Sequence, residues 1–188
     1  MKTSSLEDIK RALTPLVKQH AFLKLDKPIT LTSGKTSGVY FDAKQITLFP
    51  DRAILFARAI LKLADLNQID CVGGLTIGAD PIVMAVSLMA WIDQQKPLPA
   101  FIARKEAKKH GLQKMIEGYE LKKGDRVLVV DDVVTTAKST LQAIKIIEDC
   151  QGIVQQVTCL VDREQGGAEA LAKYHFTPVF RRSELENS

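Results

Sequence analysis

Residues 127–140 read Val-Leu-Val-Val-Asp-Asp-Val-Val-Thr-Thr-Ala-Lys-Ser-Thr, and this string decides the fold. Four apolar residues in a row, three of them valine, predict a strand buried on both faces, as in a parallel sheet. Asp131 and Asp132 are expected to end it. A Thr-Thr-Ala-Lys-Ser-Thr loop follows. Leu141, Ile144 and Ile147, with Ala143 and Ile146 beside them, then set a helical period to about Cys150. In open α/β sheets ligands bind outside the carboxyl ends of the strands. Hydroxyls and backbone N–H groups ahead of a helix make an anion cradle. Two carboxylates beside it suit the hydroxyls of a sugar, so the combination asks for a sugar phosphate. Taken singly, Asp-Asp after a strand is common, and a Thr/Ser turn caps many ordinary helices. The specificity lies in the whole string.

Upstream, Pro99 to Arg104 predicts another strand. It runs straight into Arg104-Lys105-Glu106-Ala107-Lys108-Lys109-His110-Gly111. Basic runs are usually solvated surface. This one leaves a sheet strand directly and has Gly111 and Gly118 on either side of a short apolar patch. A hinged flap, mobile from about Lys105 to Glu117, is therefore expected. Farther back, Cys71 to Leu75 predicts a short strand and Thr76 to Ala79 a loop. Asp80-Pro81 reads as an N-cap followed by proline at the first helical position. Gly73 and Gly74 are read as freedom to enter the turn. The helix that follows, to Ile92, is nearly all apolar and is expected to be buried. Strand, loop and helix make a second phosphate-sized cradle at the same sheet edge.

Downstream, Ile153 to Val161 predicts a strand closing in Asp162-Arg163-Glu164-Gln165-Gly166-Gly167. An arginine at a strand's carboxyl end can clamp a carboxylate with two parallel hydrogen bonds. A short helix from Ala168 to Lys173 and a strand from Phe176 to Phe180 follow, and Ser183 to Ser188 is expected to fray. At the other end, Leu6 to His20 has helical spacing, with Ser4 or Ser5 as cap and Pro15 as an interior defect. Ile29 to Thr32 and Val39 to Asp42 read as short strands around a turn-rich link. Pro50 to Leu66 reads as a helix with a wide apolar face.

The chain has 188 residues, 46% hydrophobic and 26% charged, with a net charge of +4. One domain spanning residues 1–188 is expected, α/β in class, with a mostly parallel central sheet flanked by helices and a small N-terminal hood from about residues 1–45. A charge of +4 suits an anionic substrate but is too mild to argue for nucleic acid. Cys71, Cys150 and Cys159 are odd in number and widely spaced, which fits a reducing compartment. No signal-peptide pattern or membrane-length apolar run is present in the sequence, so a cytoplasmic protein without a membrane role is expected.

Several of these stretches resemble one family. Residues 127–140 resemble the motif by which type I phosphoribosyltransferases bind 5-phosphoribosyl 1-pyrophosphate (PRPP). Ala137 departs from the glycine usual there. Alanine tolerates a positive φ poorly, so the loop either avoids that angle or carries strain. The run 104–111 is similar to the flexible catalytic loop of orotate phosphoribosyltransferases. Residues 160–167 resemble the same family's base-contacting arginine segment. Residues 31–42 resemble its N-terminal segment, although Thr32 stands where many members have lysine. Residues 73–81 look like its pyrophosphate loop, where alignment puts a cis peptide at Leu75-Thr76.

The resemblance implies the type I phosphoribosyltransferase fold and transfer of phosphoribose from PRPP to orotate. The products would be orotidine 5′-monophosphate and pyrophosphate, within pyrimidine biosynthesis. It implies Lys108, Asp131 and Asp132 as catalytic residues. Arg104, Lys105, Lys108, His110, Asp131, Asp132, Val133, Val134, Thr135, Thr136, Ala137, Lys138 and Ser139 would hold PRPP. Thr135, Arg163, Tyr40 and Phe41 would hold orotate. Mg²⁺ would ride on PRPP without a dedicated protein ligand. A homodimer is implied, with Lys105, Lys108 and His110 reaching the neighbouring site. The rivals are a phosphoribosyltransferase for purine bases, against which the basic loop and Arg163 argue, and a PRPP-sensing regulator that binds nucleic acid, which would want a larger basic surface.

Overall fold

The computed structural model describes residues 4–30, 36–106 and 115–187. The first helix, α1 (Leu6–Leu16), starts with a reciprocal cap: the Asp8 N–H donates to Ser5 Oγ at 3.1 Å, and the Ser5 N–H donates to Asp8 Oδ2 at 3.2 Å. Pro15 has no N–H to give to the preceding turn. The coil then widens into a π-turn over Val17–Ala21. A hairpin follows, β1 (Phe22–Thr30) antiparallel to β2 (Thr36–Phe41), with its register broken between Lys24 and Ile29. Thus β1 begins seven residues before the expected Ile29, and the expected strand residues Leu31 and Thr32 lie outside the described residues. The short helix α2 (Lys44–Thr47) and the helix α3 (Pro50–Leu63) complete this part.

The main sheet contains β3 (Cys71–Leu75), β4 (Ala100–Ala103), β5 (Ile116–Gly118), β6 (Arg126–Val134), β7 (Ile153–Asp162) and β8 (Phe180–Arg181). Among the described residues its order is β5-β4-β3-β6-β7-β8, parallel except where β5 runs antiparallel to β4. The helices α4 (Asp80–Gln94), α5 (Lys138–Asp149), α6 (Gly167–Ala170) and α7 (Arg182–Asn187) connect or follow these strands.

Alternation along β6 sorts the core into two layers. Leu128 and Val130 join α1, α3 and α4 on one face, while Val127 and Val129 join α5 on the other. All four are fully buried. Burial is worth about 1.5–3 kcal/mol for each such side chain, so this strand fixes the middle of the sheet. Gly73 and Gly74 act by close packing rather than by turning. A Cβ on Gly73 would collide with the Phe101 ring, and one on Gly74 with the Val130 carbonyl oxygen and the Ala79 side chain.

Several expectations need correction. The aspartates do not end the central strand: β6 continues to Val134, pairing Asp131 with Cys159 and Val134 with Asp162 on β7. The helix α4 is not buried all round, because Met84, Leu88, Trp91 and Ile92 are each about half exposed. Instead of a last strand over Phe176–Phe180, there is one bridge at Phe176 and the two-residue β8. The polar end does not fray as far as Asn187. It forms α7, with Leu185 buried and Ser183 donating from its N–H and Oγ to the Glu164 carboxylate at 2.8 and 3.0 Å.

Candidate active site

The carboxyl ends of β3, β6 and β7 open into a cleft of about 440 Å³. Period-two alternation sends the two β6 carboxylates to opposite faces of the sheet. Asp131 points to the α5 side, where it accepts from Thr140 Oγ1 at 2.6 Å and Ser139 Oγ at 3.1 Å. It also takes the Asp132 N–H at 2.9 Å and is 4% exposed. Burial first, and the charge of Asp132 second, push its pKa up to about 7 against the pull of these donors. Asp132 points to the α4 side. A Cβ on Gly78 would lie 3.0 Å from its carboxylate, so the loop after β3 fits closely over it.

The β6–α5 connection turns through Ala137, at φ 61° and ψ 14°, in the left-handed region. The anticipated departure from the glycine usual at this position therefore takes the strained course. The helix α5 begins at Lys138 without a side-chain cap, so the N–H groups of its first turn, which have no intrahelical partners, are left to bind an anion near Thr135 and Ser139.

After β3, the Thr76 N–H still donates to the Ala103 carbonyl at 2.8 Å, so the sheet ladder runs through Thr76. The cis peptide accordingly lies one bond later than expected, at Thr76-Ile77 rather than Leu75-Thr76. Asp80 is not the N-cap. Ala79 takes that position, and Asp80 sits in the first turn, with Oδ2 accepting from Thr76 Oγ1 at 2.9 Å.

At the end of β7, Arg163 is 4% exposed. Burial, followed by the charge of Arg182, lowers its pKa. Its N–H donates to the Val134 carbonyl at 2.9 Å, and its guanidinium donates to the Val39 carbonyl at 3.0 Å. The guanidinium also lies 5.6 Å from the centre of the Phe41 ring. The arginine thereby locks the hairpin over the sheet edge. Alternation splits the aromatic pair: Tyr40 is 39% exposed, whereas Phe41 is buried edge-to-face on Phe22 at 5.0 Å.

Of the residues singled out from sequence, Tyr40, Phe41, Lys105, Asp131, Asp132, Val133, Thr135, Ser139 and Arg163 line this cleft. Val134, Thr136, Ala137 and Lys138 do not line it. Val134 and Ala137 are buried in the wall behind it. Arg104 also lies off the cleft. It pairs with Glu117 at 2.9 Å, and its N–H donates to the Met115 carbonyl at 2.8 Å, joining the two roots of the basic loop. Ile116 and Glu117, expected to be part of a mobile flap, are held in β5. Lys108 and His110 lie outside the described residues, as does all of 107–114. Lys105 faces its own chain's cleft, and its carbonyl accepts from Gln142 Nε2 at 3.1 Å. Sequence reasoning missed Lys44, which also lines the cleft. A single lysine after Tyr40-Phe41-Asp42-Ala43 carries no periodic or motif signal.

Among the described residues, no three His, Cys, Asp or Glu side chains gather to hold a metal ion. The oxygen donors at the cleft suit a hard cation that takes most of its ligands from a bound phosphate and water. No helix among the described residues is long and apolar enough to cross a membrane.

No protein-family model matches the chain. Orotate phosphoribosyltransferase of Nostoc sp. is 42% identical over 167 residues, covering 89% of this chain and 79% of that protein. Orotate phosphoribosyltransferase of Aquifex aeolicus is 40% identical over 176 residues, covering 92% and 95%. The crystal structure of Mycobacterium tuberculosis orotate phosphoribosyltransferase in complex with PRPP matches at a TM-score of 0.75 and 32% identity, over 95% of this chain and 99% of that one. With identity at this level along nearly the whole length, the chain belongs to the orotate phosphoribosyltransferase family.

Proposed function

We infer that the cleft carries out the family's reaction. Phosphoribose passes from PRPP to orotate, giving orotidine 5′-monophosphate and pyrophosphate, a step of pyrimidine nucleotide synthesis. The observation that carries this reading is the convergence on one sheet edge of Asp132, of Thr135 and Ser139 at the head of α5, and of the loop Thr76–Gly78.

The C1–O bond of the ribose breaks, and its electron pair leaves on pyrophosphate. N1 of orotate supplies the pair for the new C1–N bond and releases its proton to solvent. Positive charge builds on the ring and negative charge on the leaving group, so catalysis is mainly preorganised electrostatics. Asp132, on the open side, meets the ribose hydroxyls and favours the cationic ring. Asp131, held by Ser139 and Thr140, fixes the loop and adds charge beneath it. Residues 135–139 and the head of α5 hold the 5′-phosphate. Arg163 and Thr135, with the backbone at Tyr40-Phe41, position orotate. Lys105, Lys108 and His110 neutralise the departing pyrophosphate. Arg104 joins them only if its pairing with Glu117 opens. Magnesium, when bound, spreads the negative charge of PRPP and needs few protein ligands.

The chain works as one domain with its hood in residues 1–45, and as a homodimer. The half-exposed strip of Met84, Leu88, Trp91 and Ile92 supports the dimer. In it Lys108 and His110 reach the neighbouring cleft. A base panel with PRPP and Mg²⁺ tests the reading. Orotate is consumed, while adenine, guanine and hypoxanthine are not. Consumption of a purine base and not of orotate would overturn it.

A further inference from the structure

We propose that Lys44 is a pyrophosphate-binding residue of the cleft, placed to hold the leaving group of PRPP against the loop Thr76–Gly78. The proposal rests on the reaction inferred above.

The sheet divides the cleft. Ser139 and the head of α5 belong to one face, Asp132 and the loop before α4 to the other. Lys44 reaches the cleft from the second side, because α2 packs on α3 and α3 packs on α4. Its backbone is fixed there. Ala43, Ile46 and Thr47 are buried beneath it, and the Gln45 carbonyl accepts from the Arg52 guanidinium at 2.7 Å. The lysine side chain itself is exposed on the cleft. Its ammonium makes no hydrogen bond or ion pair with the described residues.

The loop it faces has no cation to offer. Ile77 is apolar and 68% exposed, and Gly78 lies against the Asp132 carboxylate. A polyanion seated there is repelled by that carboxylate and needs a positive group on the same side. Arg163 is committed to the Val39 carbonyl and the Phe41 ring. Lys105 stands at the root of the basic loop, beside α5. Lys44 fills the vacant side with an anchored backbone and a free ammonium. Charge developing on the leaving oxygens strengthens that contact in the transition state.

The test compares Lys44→Met, which keeps much of the apolar stem, with Lys44→Arg, which keeps the charge. A Lys62→Met control lies on α3 away from the cleft. Calorimetric titration with magnesium pyrophosphate reads binding without any base. Steady-state kinetics read the KM values for PRPP and orotate separately. Lys44→Met is expected to weaken pyrophosphate binding and raise the KM for PRPP by about tenfold or more, the usual loss of a hydrogen bond to a charged group. The KM for orotate should stay within about twofold, Lys44→Arg should recover most of the loss, and Lys62→Met should change neither, since a distant surface charge acts weakly. Pyrophosphate affinity unchanged in Lys44→Met would overturn the proposal, as would a rise confined to the KM for orotate. Because the titration contains no base, its result stands even if the wild type uses a base other than orotate.

Discussion

At Ala137, three magnitudes nearly cancel. A left-handed φ costs an L-residue about 1–2 kcal/mol. Glycine would remove that cost, but it adds about 0.5–1 kcal/mol of unfolded-state entropy and gives up a buried methyl worth about 0.8 kcal/mol. Ala137→Gly is therefore expected to change stability by less than about 1 kcal/mol in chemical denaturation. Ala137→Val should lose about 2 kcal/mol or more, because a β-branched side chain fits this region badly. A large loss for glycine would mean that packing of the methyl dominates. Asp131 illustrates the opposite bargain. Its folded pKa of about 7 lies above the unfolded value, so the folded state binds the extra proton. Its contribution to stability is present below about pH 4 and is lost as pH rises towards 7. Asp131→Asn should raise the melting temperature at neutral pH and flatten this dependence, while turnover falls sharply. An unchanged melting temperature would show that the carboxylate is well solvated.

Element by element, the buried valine strand, the mostly parallel character of the sheet and the arginine after β7 were legible, because each depends on local composition. The facing of the two carboxylates was legible in principle too. Alternation along β6 separates Asp131 from Asp132 once the strand is known to continue, but acidic residues read as a stop. The same rule splits Tyr40 from Phe41. The three residues of β5 were not legible, since Ile116–Gly118 becomes a strand only by pairing with β4. Nor was the exposure of α4, because an apolar helix reads as core whether its outer face meets the same chain or another. That face carries its own prediction. Trp91→Glu with Leu88→Glu places two charges in the proposed contact, so if the wild type sediments as the proposed dimer, this variant should sediment as monomer. A dimer of unchanged stability would put the interface elsewhere.

Across the whole molecule, the two edges of the sheet do different work. At the amino edge, Asp70 and Arg126 form a double hydrogen bond at 2.8 and 3.0 Å, which holds the aspartate pKa at about 2. That stability is present above about pH 4 and is lost as pH falls towards 2, the reverse of Asp131. Both side chains are 38% exposed, so solvent screening keeps the contribution of the pair small. Asp70→Asn should cost that stability and leave kcat unchanged. The carboxyl edge carries the chemistry, and the direct test is a single assay there. Wild type and Asp132→Ala are given orotate, PRPP and Mg²⁺, and orotidine 5′-monophosphate and pyrophosphate are quantified together. Wild type should form the two products in equal amounts, and Asp132→Ala should be slower by about a hundredfold or more while remaining folded. Absence of product from folded wild type, or an Asp132→Ala enzyme as fast as wild type, would contradict the account.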